Sequence, residues 1–372
     1  MNKELRYFTA NRTLFNIAIA LFELFGILNL YSIFDENLLY AVGPYIVIHF
    51  SYATLLPVFA RYVGKMGIRT SMILGSILFL ASLSPLIFVT EEIQFPIFIW
   101  ITLNIAARLV YYLPVHYYFT TMTSSRHRGE EIGIFNAIML VSVMLIPLIG
   151  GNISENYSIA GLAVTSLFIL GLSILPLFKL ENEKFFYSGR LKRIESVRAV
   201  RKMVKLVIVD TIQGQFWVFW VIYVFIVLRG SFVGFGELFT IVGIINAVIS
   251  VFLGKFLDRH NRKQFLNYDA IFVFVVWILR AIASSTLGIL IAETAFKINL
   301  NLKNSAFGVL TYDFLSQSNH EVQIDEKIVI REISINYTIS LALFAGFIIV
   351  TVGGFQLGFV VAGIVALLFA FI

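Results

Sequence analysis

Long apolar runs separated by short polar gaps recur along the entire chain. Crossing a bilayer takes about 20 mostly apolar residues in a helix. Twelve runs of that kind are predicted, over Thr13–Phe34, Leu38–Tyr62, Ile68–Thr90, Phe95–Met122, Ile132–Gly151, Ser158–Phe178, Leu206–Leu228, Phe232–Leu257, Leu266–Ala283, Leu287–Phe314, Ile328–Val352 and Phe355–Ile372. None alternates polar and apolar positions as the strands of a membrane barrel do, so each is read as a helix. The first run is long, lacks a small-residue cleavage site and is followed by further spans, so no cleavable signal peptide is expected.

The gaps carry charge in alternation. One set holds Lys3, Arg6 and Arg12; Arg61, Lys65 and Arg69; Arg126 and Arg128; a basic stretch from Lys179 to Lys205; and Lys255, Arg259, Arg262 and Lys263. The other holds Asp35, Glu36, Glu91, Glu92 and Glu155, with Arg229 as its one clear base. Basic loops stay on the cytoplasmic side, so both termini are expected there. The longest interruption divides the chain into residues 1–180, a basic linker at 181–204, and residues 205–372. The linker is expected to lie on anionic headgroups.

Composition agrees. Of 372 residues, 59% are hydrophobic and 13% charged, where soluble domains carry about 25% charged residues. The mean hydropathy is +0.88. The net charge of +6 resides in the loops, so no nucleic-acid partner is expected. There is no cysteine, which excludes disulfides and thiolate metal sites. No Walker loop, zinc spacing or nucleophile constellation is present, so neither an enzyme nor a cofactor or metal site is expected.

Two loops echo each other. The loop after the eighth span reads Gly254-Lys255-Phe256-Leu257-Asp258-Arg259-His260-Asn261-Arg262-Lys263, and the loop after the second runs from Ala60 to Arg69. The pair resembles the G-x-x-x-D-R-x-G-R-R/K signature of the major facilitator superfamily. The second copy matches with Asn261 in place of Gly. The first has Ala60 for Gly, Gly64 for Asp and Lys65 for Arg. Asp258 in a tight turn can face a helix N-terminus, where the helix dipole favours an anion, and Arg259 and Arg262 can bridge carboxylates or headgroups. These three are the expected conformational latch, and the loss of Asp at Gly64 weakens its counterpart. The fifth span resembles the g-x8-G-x3-G-P-x2-G pattern of proton antiporters in the family, with Gly133, Ser142, Ile146, Pro147 and Gly150 at those offsets; its physical content is a kink with close helix packing. Arg108 stands where the family's drug exporters carry an Arg.

Charges at mid-span are costly and face a cavity or a partner. Glu23 and Arg108 lie near the centres of the first and fourth spans and are the expected proton-coupling pair. Asn104, Arg108 and Tyr111 or Tyr112 form one face of the fourth span. Glu293, Lys297, Asn301 and Asn304 share a face of the tenth by their spacing, and Asp210, Gln213, Trp217 and Trp220 do so in the seventh. The expected substrate cavity is lined by Asn104, Tyr111, Tyr112, Gln213, Trp217, Trp220, Glu293, Lys297 and Asn301, which suits a zwitterionic, anionic or amphipathic solute. Arg280 is expected to snorkel or pair locally, His116 to serve packing, and Arg331 and Glu332 to lie at the membrane interface.

The resemblance implies an all-α membrane protein of twelve transmembrane helices in two pseudo-symmetric six-helix bundles. It implies a secondary active transporter of a small organic solute by alternating access, with protons as coupling partner and export as the leading direction. Uptake of a small polar or anionic solute, or a transport-inactive receptor or scaffold on the same fold, are the alternatives. A monomer in the lipid bilayer of a prokaryotic inner membrane is expected.

Overall fold

The computed structural model describes residues 3–122, 128–187, 189, 198–257, 262–300 and 324–367. All regular structure among them is helical. The helices are α1 (Lys3–Ile33), α2 (Leu38–Met66), α3 (Ile68–Leu83, extended by a 3₁₀ segment Ser84–Phe88), α4 (Phe95–Met122), α5 (Arg128–Val143), α6 (Ile146–Ile174, extended by a 3₁₀ segment Leu175–Lys179), α7 (Arg198–Gln215), α8 (Trp217–Val227), α9 (Phe232–Leu257), α10 (Arg262–Ile282), α11 (286–300) and α12 (Ile324–Leu367).

Helices and predicted spans do not correspond one to one. Eight helical stretches are long and apolar enough to cross a membrane among the described residues, and two of them, of 47 and 44 residues, are long enough for two crossings each. The breaks fall at Ser158 (φ 53°, ψ −155°) and Gly354 (φ 79°, ψ 171°). Glycine adopts that left-handed φ without a Cβ clash. Ser158 has a Cβ, and its hydroxyl donates to Asn29 Oδ1 at 3.3 Å. The fifth predicted span comprises α5 and the start of α6, interrupted just before Pro147, whose missing N–H suits a first helical turn. The seventh comprises α7 and α8, interrupted at Phe216. Twelve crossings fit this arrangement.

Several hydroxyl side chains inside the spans are satisfied by their own helix. Thr9, Ser76 and Thr102 donate their hydroxyls to the carbonyl four residues earlier. Between helices, Asn11 Nδ2 donates to the Ser173 carbonyl at 2.7 Å and Ser166 Oγ to the Ala18 carbonyl at 3.1 Å, joining α1 to α6.

Two helix pairs make most of the contact between the N-terminal set, α1–α6, and the C-terminal set: α2 with α12, and α6 with α9. The α6–α9 crossing is a backbone approach. A Cβ on Gly236 would collide with the Pro147 carbonyl, and one on Gly151 with the Phe232 carbonyl. Close approach through small residues is how helices associate where no hydrophobic drive exists. Glu155 Oε2 accepts the backbone N–H of Phe232 at 3.0 Å, so an anion of α6 caps the positive end of α9.

The start of the linker is hydrogen-bonded to the turn between α2 and α3. Ile68 N donates to the Glu183 carbonyl at 2.8 Å, Phe185 N to the Gly64 carbonyl at 3.3 Å, and Asn182 Nδ2 to the Met66 carbonyl at 3.1 Å. A Cβ at Gly64 would strike the Phe185 carbonyl. The position where the family signature has Asp therefore has no room for a side chain. The linker's C-terminal end is helical, since α7 begins at Arg198.

Candidate functional site

The first cluster joins α1 and α4. Arg108 Nη2 lies 3.0 Å from Glu23 Oε1, and Arg108 Nε donates to Asn104 Oδ1 at 2.8 Å. Asn104 precedes Arg108 by one helical turn, so it aims the guanidinium at α1. The Tyr112 ring lies 5.5 Å from the Arg108 carbon, within cation–π range. Arg108 is 10% exposed at its side chain and Glu23 is 45% exposed. The carboxylate thus meets open space while its partner is held in the protein.

Tyr111 differs from expectation. It is fully buried, stacked on Phe15 at 4.1 Å, and its hydroxyl accepts from Arg12 Nη1 and donates to Asn11 Oδ1, each at 3.1 Å. Tyr112 is the one whose ring lies beside the Arg108 guanidinium, whereas Tyr111 turns into the packing against α1.

The second cluster lies in the C-terminal set. Arg280 on α10 and Glu293 on α11 form a fully buried ion pair. The same oxygen, Glu293 Oε2, accepts Trp220 Nε1 at 2.8 Å. Three rings surround the guanidinium, with centroids at 4.8 Å for Trp220, 4.6 Å for Trp277 and 3.7 Å for Phe296. Arg280 therefore does not snorkel; it is boxed. Glu293 and Trp220, expected on a cavity wall, are closed inside this box with no exposed surface. Lys297, one turn from Glu293, stands 3.8 Å from Glu293 Oε1 and 5.7 Å from the Trp217 ring, and keeps 30% exposure. Phe296 also lines a cavity of about 200 Å³ together with Asp210, Gln215 and Asn299.

A third group bridges the two helix sets. His116 Nε2 on α4 lies 3.3 Å from Glu332 Oε1 on α12, and Arg331 Nη1 lies 2.6 Å from the same oxygen. His49 Nδ1 on α2 meets Asn336 Oδ1 at 2.7 Å. Glu332 is buried, not interfacial. Sequence reasoning missed this seam because a lone His or a charge near a span end carries no signal of its partner.

Asp258, Arg259 and Asn301 lie outside the described residues, as does Asn304. Gln213 lies in α7 and Arg262 opens α10, with only their backbones described. Among the described residues no group of three or more His, Cys, Asp or Glu is placed to hold a metal ion.

A sequence model described as Major Facilitator Superfamily matches residues 8–320. The chain belongs to the Major Facilitator Superfamily. Membership makes it a membrane transporter rather than an enzyme. A search of curated proteins returns no significant match. Solved structures of superfamily-type transporters share the fold at low identity. The human organic anion transporter aligns at TM-score 0.72 and 12% identity, covering 100% of this chain and 99% of that one. The E. coli fucose:proton symporter aligns at 0.65 and 14%, covering 98% and 97%. A POT family transporter crystallised with 5-aminolevulinic acid aligns at 0.74 and 9%, covering 99% and 94%.

Proposed function

We propose that this superfamily member couples movement of a small organic solute to protons, with Glu23 as the proton carrier and Arg108 as its partner. The supporting observation is the asymmetry of the pair: a carboxylate exposed by nearly half, held by an arginine buried in the helix bundle. Ionised Glu23 is held by Arg108. Protonated Glu23 loses the Coulombic attraction and is freed from it. The remaining wall comprises Asn104, Tyr112, Trp217 and Lys297, with Gln213 and Asn301 added by register. Asp258, Arg259 and Arg262 form the latch that closes the signature-loop side. Both termini are cytoplasmic, in the inner membrane of a prokaryote, and the unit is a monomer of two bundles joined by the linker.

In export, solute and proton take turns. A solute donor that hydrogen-bonds the Glu23 carboxylate holds it ionised, and its departure outward admits a proton. The Gly133, Pro147 and Gly150 spacing supports this direction. Gly150 packs tightly on Phe25 and Leu21, placing the motif's end against α1; Gly133 meets open space. A second reading is favoured by the charge near Lys297. An anionic solute bound there would bring its own charge, and Glu23 would bind a proton in the same step, which is symport.

Proteoliposomes with a trapped pH dye test both. Solutes from four classes (drugs, amino acids, sugars and organic anions) are added outside, and the sign of the lumenal pH change reports direction. Glu23→Gln is expected to abolish the proton signal and to leave solute exchange intact. A full proton signal from Glu23→Gln would make Glu23 structural.

A further inference from the structure

The cluster around Arg280 has an unbalanced charge. Two cations, Arg280 and Lys297, face one anion, Glu293, among the described residues within ion-pair range of one another. Glu293 is committed: one oxygen takes Arg280 and the Trp220 indole N–H. Its other oxygen is 3.8 Å from the Lys297 ammonium, well beyond the 2.7–2.9 Å of a charge-assisted hydrogen bond. Arg280 is sealed by three rings and has no exposed surface. The surplus positive charge therefore resides on Lys297, the one member of the trio with solvent access. An ammonium carries three donors, and Glu293 engages Lys297 only loosely. The flat face of Trp217 lies beside it at 5.7 Å.

We infer that Lys297 is the anchor for the anionic group of the transported solute, with Trp217 as the wall against which the solute's apolar or aromatic body packs. This names the substrate class as organic carboxylates, or acids of like charge, with a hydrophobic body. It rests on the chain being a solute transporter and specifies one wall of that site. A cation held this loosely by its carboxylate is costly at this depth, and a solute anion supplies a closer countercharge. Glu293 and the Arg280 box would hold Lys297 in place, since Lys297 follows Glu293 by one helical turn. The boxed Arg280 and the Trp220 indole fix Glu293 in place, so the anchor is a lysine aimed by its neighbour rather than a free side chain.

Equilibrium binding to the purified full chain in detergent tests this without any transport step, so it stands or falls separately from the proton-flux assay. The probes are benzoate, phenylacetate and indole-3-acetate, against benzamide and benzylamine as matched neutral and cationic forms. The readout is the shift in unfolding temperature over a concentration series. The three carboxylates are expected to give saturable stabilisation, and the amide and amine none. K297Q should weaken carboxylate binding at least about tenfold, the scale of one lost charge-assisted hydrogen bond, while K297R retains most of it. W217L should lose the preference for indole-3-acetate over acetate. The inference is overturned if no carboxylate stabilises the wild type at millimolar concentration, if benzamide or benzylamine binds as well as benzoate, or if folded K297Q binds benzoate like the wild type. Should K297Q fail to fold, the benzoate–benzamide comparison on the wild type decides.

Discussion

Glu332 on α12 stands 3.3 Å from the imidazole Nε2 of His116 on α4, a polar contact between the C-terminal and N-terminal helix sets. It is the first tooth of a seam. Four residues on, Asn336 meets His49, and four further, Ser340 Oγ donates to the Ile46 carbonyl at 3.0 Å. That spacing puts one polar face of α12 against α2 and α4. Alternating access requires such a face to part, and polar contacts can re-form with water when it does.

Glu332 holds more of the seam than His116. Glu332→Ala strips the carboxylate from both Arg331 and His116, and leaves the partly buried His116 ring and Arg331 guanidinium without their acceptor. Removing one partner of a buried pair costs about 3–5 kcal/mol. His116→Ala leaves Glu332 paired with Arg331 and should cost about 1 kcal/mol. Thermal unfolding in detergent should place Glu332→Ala below His116→Ala, and both below the wild type. Equal midpoints for the two variants would show that the carboxylate is not shared.

The box around Arg280 predicts a rescue. Glu293→Ala leaves a fully buried cation uncompensated and should destabilise by about 3–5 kcal/mol. Replacing both members, as Arg280→Met with Glu293→Leu, removes both charges and should regain most of that loss. Expression level and unfolding temperature report it. A double variant no better than Glu293→Ala would mean that the rings, not the ion pair, require the arginine.

At the α6–α9 crossing the backbones leave no room for a side chain. Gly236→Val should push Pro147 away, open that contact and abolish transport. Gly243→Ala, one to two turns further along α9, meets Met144 at an ordinary 3.6 Å and should be tolerated. Transport of any solute identified in the proteoliposome screen reads both. An active Gly236→Val protein would show that the sets need not touch there.

Orientation is directly testable because the chain contains no cysteine. Single cysteines at Glu36 and Glu91, both exposed in loops, should react with a membrane-impermeant maleimide from the outside of intact cells. Labelling only after cells are opened would invert the topology.

Much of this architecture is legible in the residues, and the remainder is not for physical reasons. The predicted span edges at Ser158 and Phe355 coincide with the helix breaks at Ser158 and Gly354, because each helix must end where its hydrophobic length is spent. The Glu23–Arg108 pair was readable because two unlike charges at equal depth in lipid have few other partners. Tyr111 against Tyr112 was not, since helical register alone cannot say which side of Arg108 is open. Arg280 with Glu293, thirteen residues apart on different helices, depends on how α10 packs on α11. His116 with Glu332 depends on how the two helix sets meet.

The aromatic box also gives the protein an optical property. Of its four tryptophans, Trp220 and Trp277 face the Arg280 guanidinium and Trp217 faces Lys297, while Trp100 packs with Phe22 and Tyr45 in the N-terminal set. Indole emission shifts with nearby charge, so the unlabelled protein's fluorescence is weighted three to one toward the C-terminal helices. A Trp100→Phe variant would report on those helices alone, turning their charge rearrangements into a colour change that needs no attached dye.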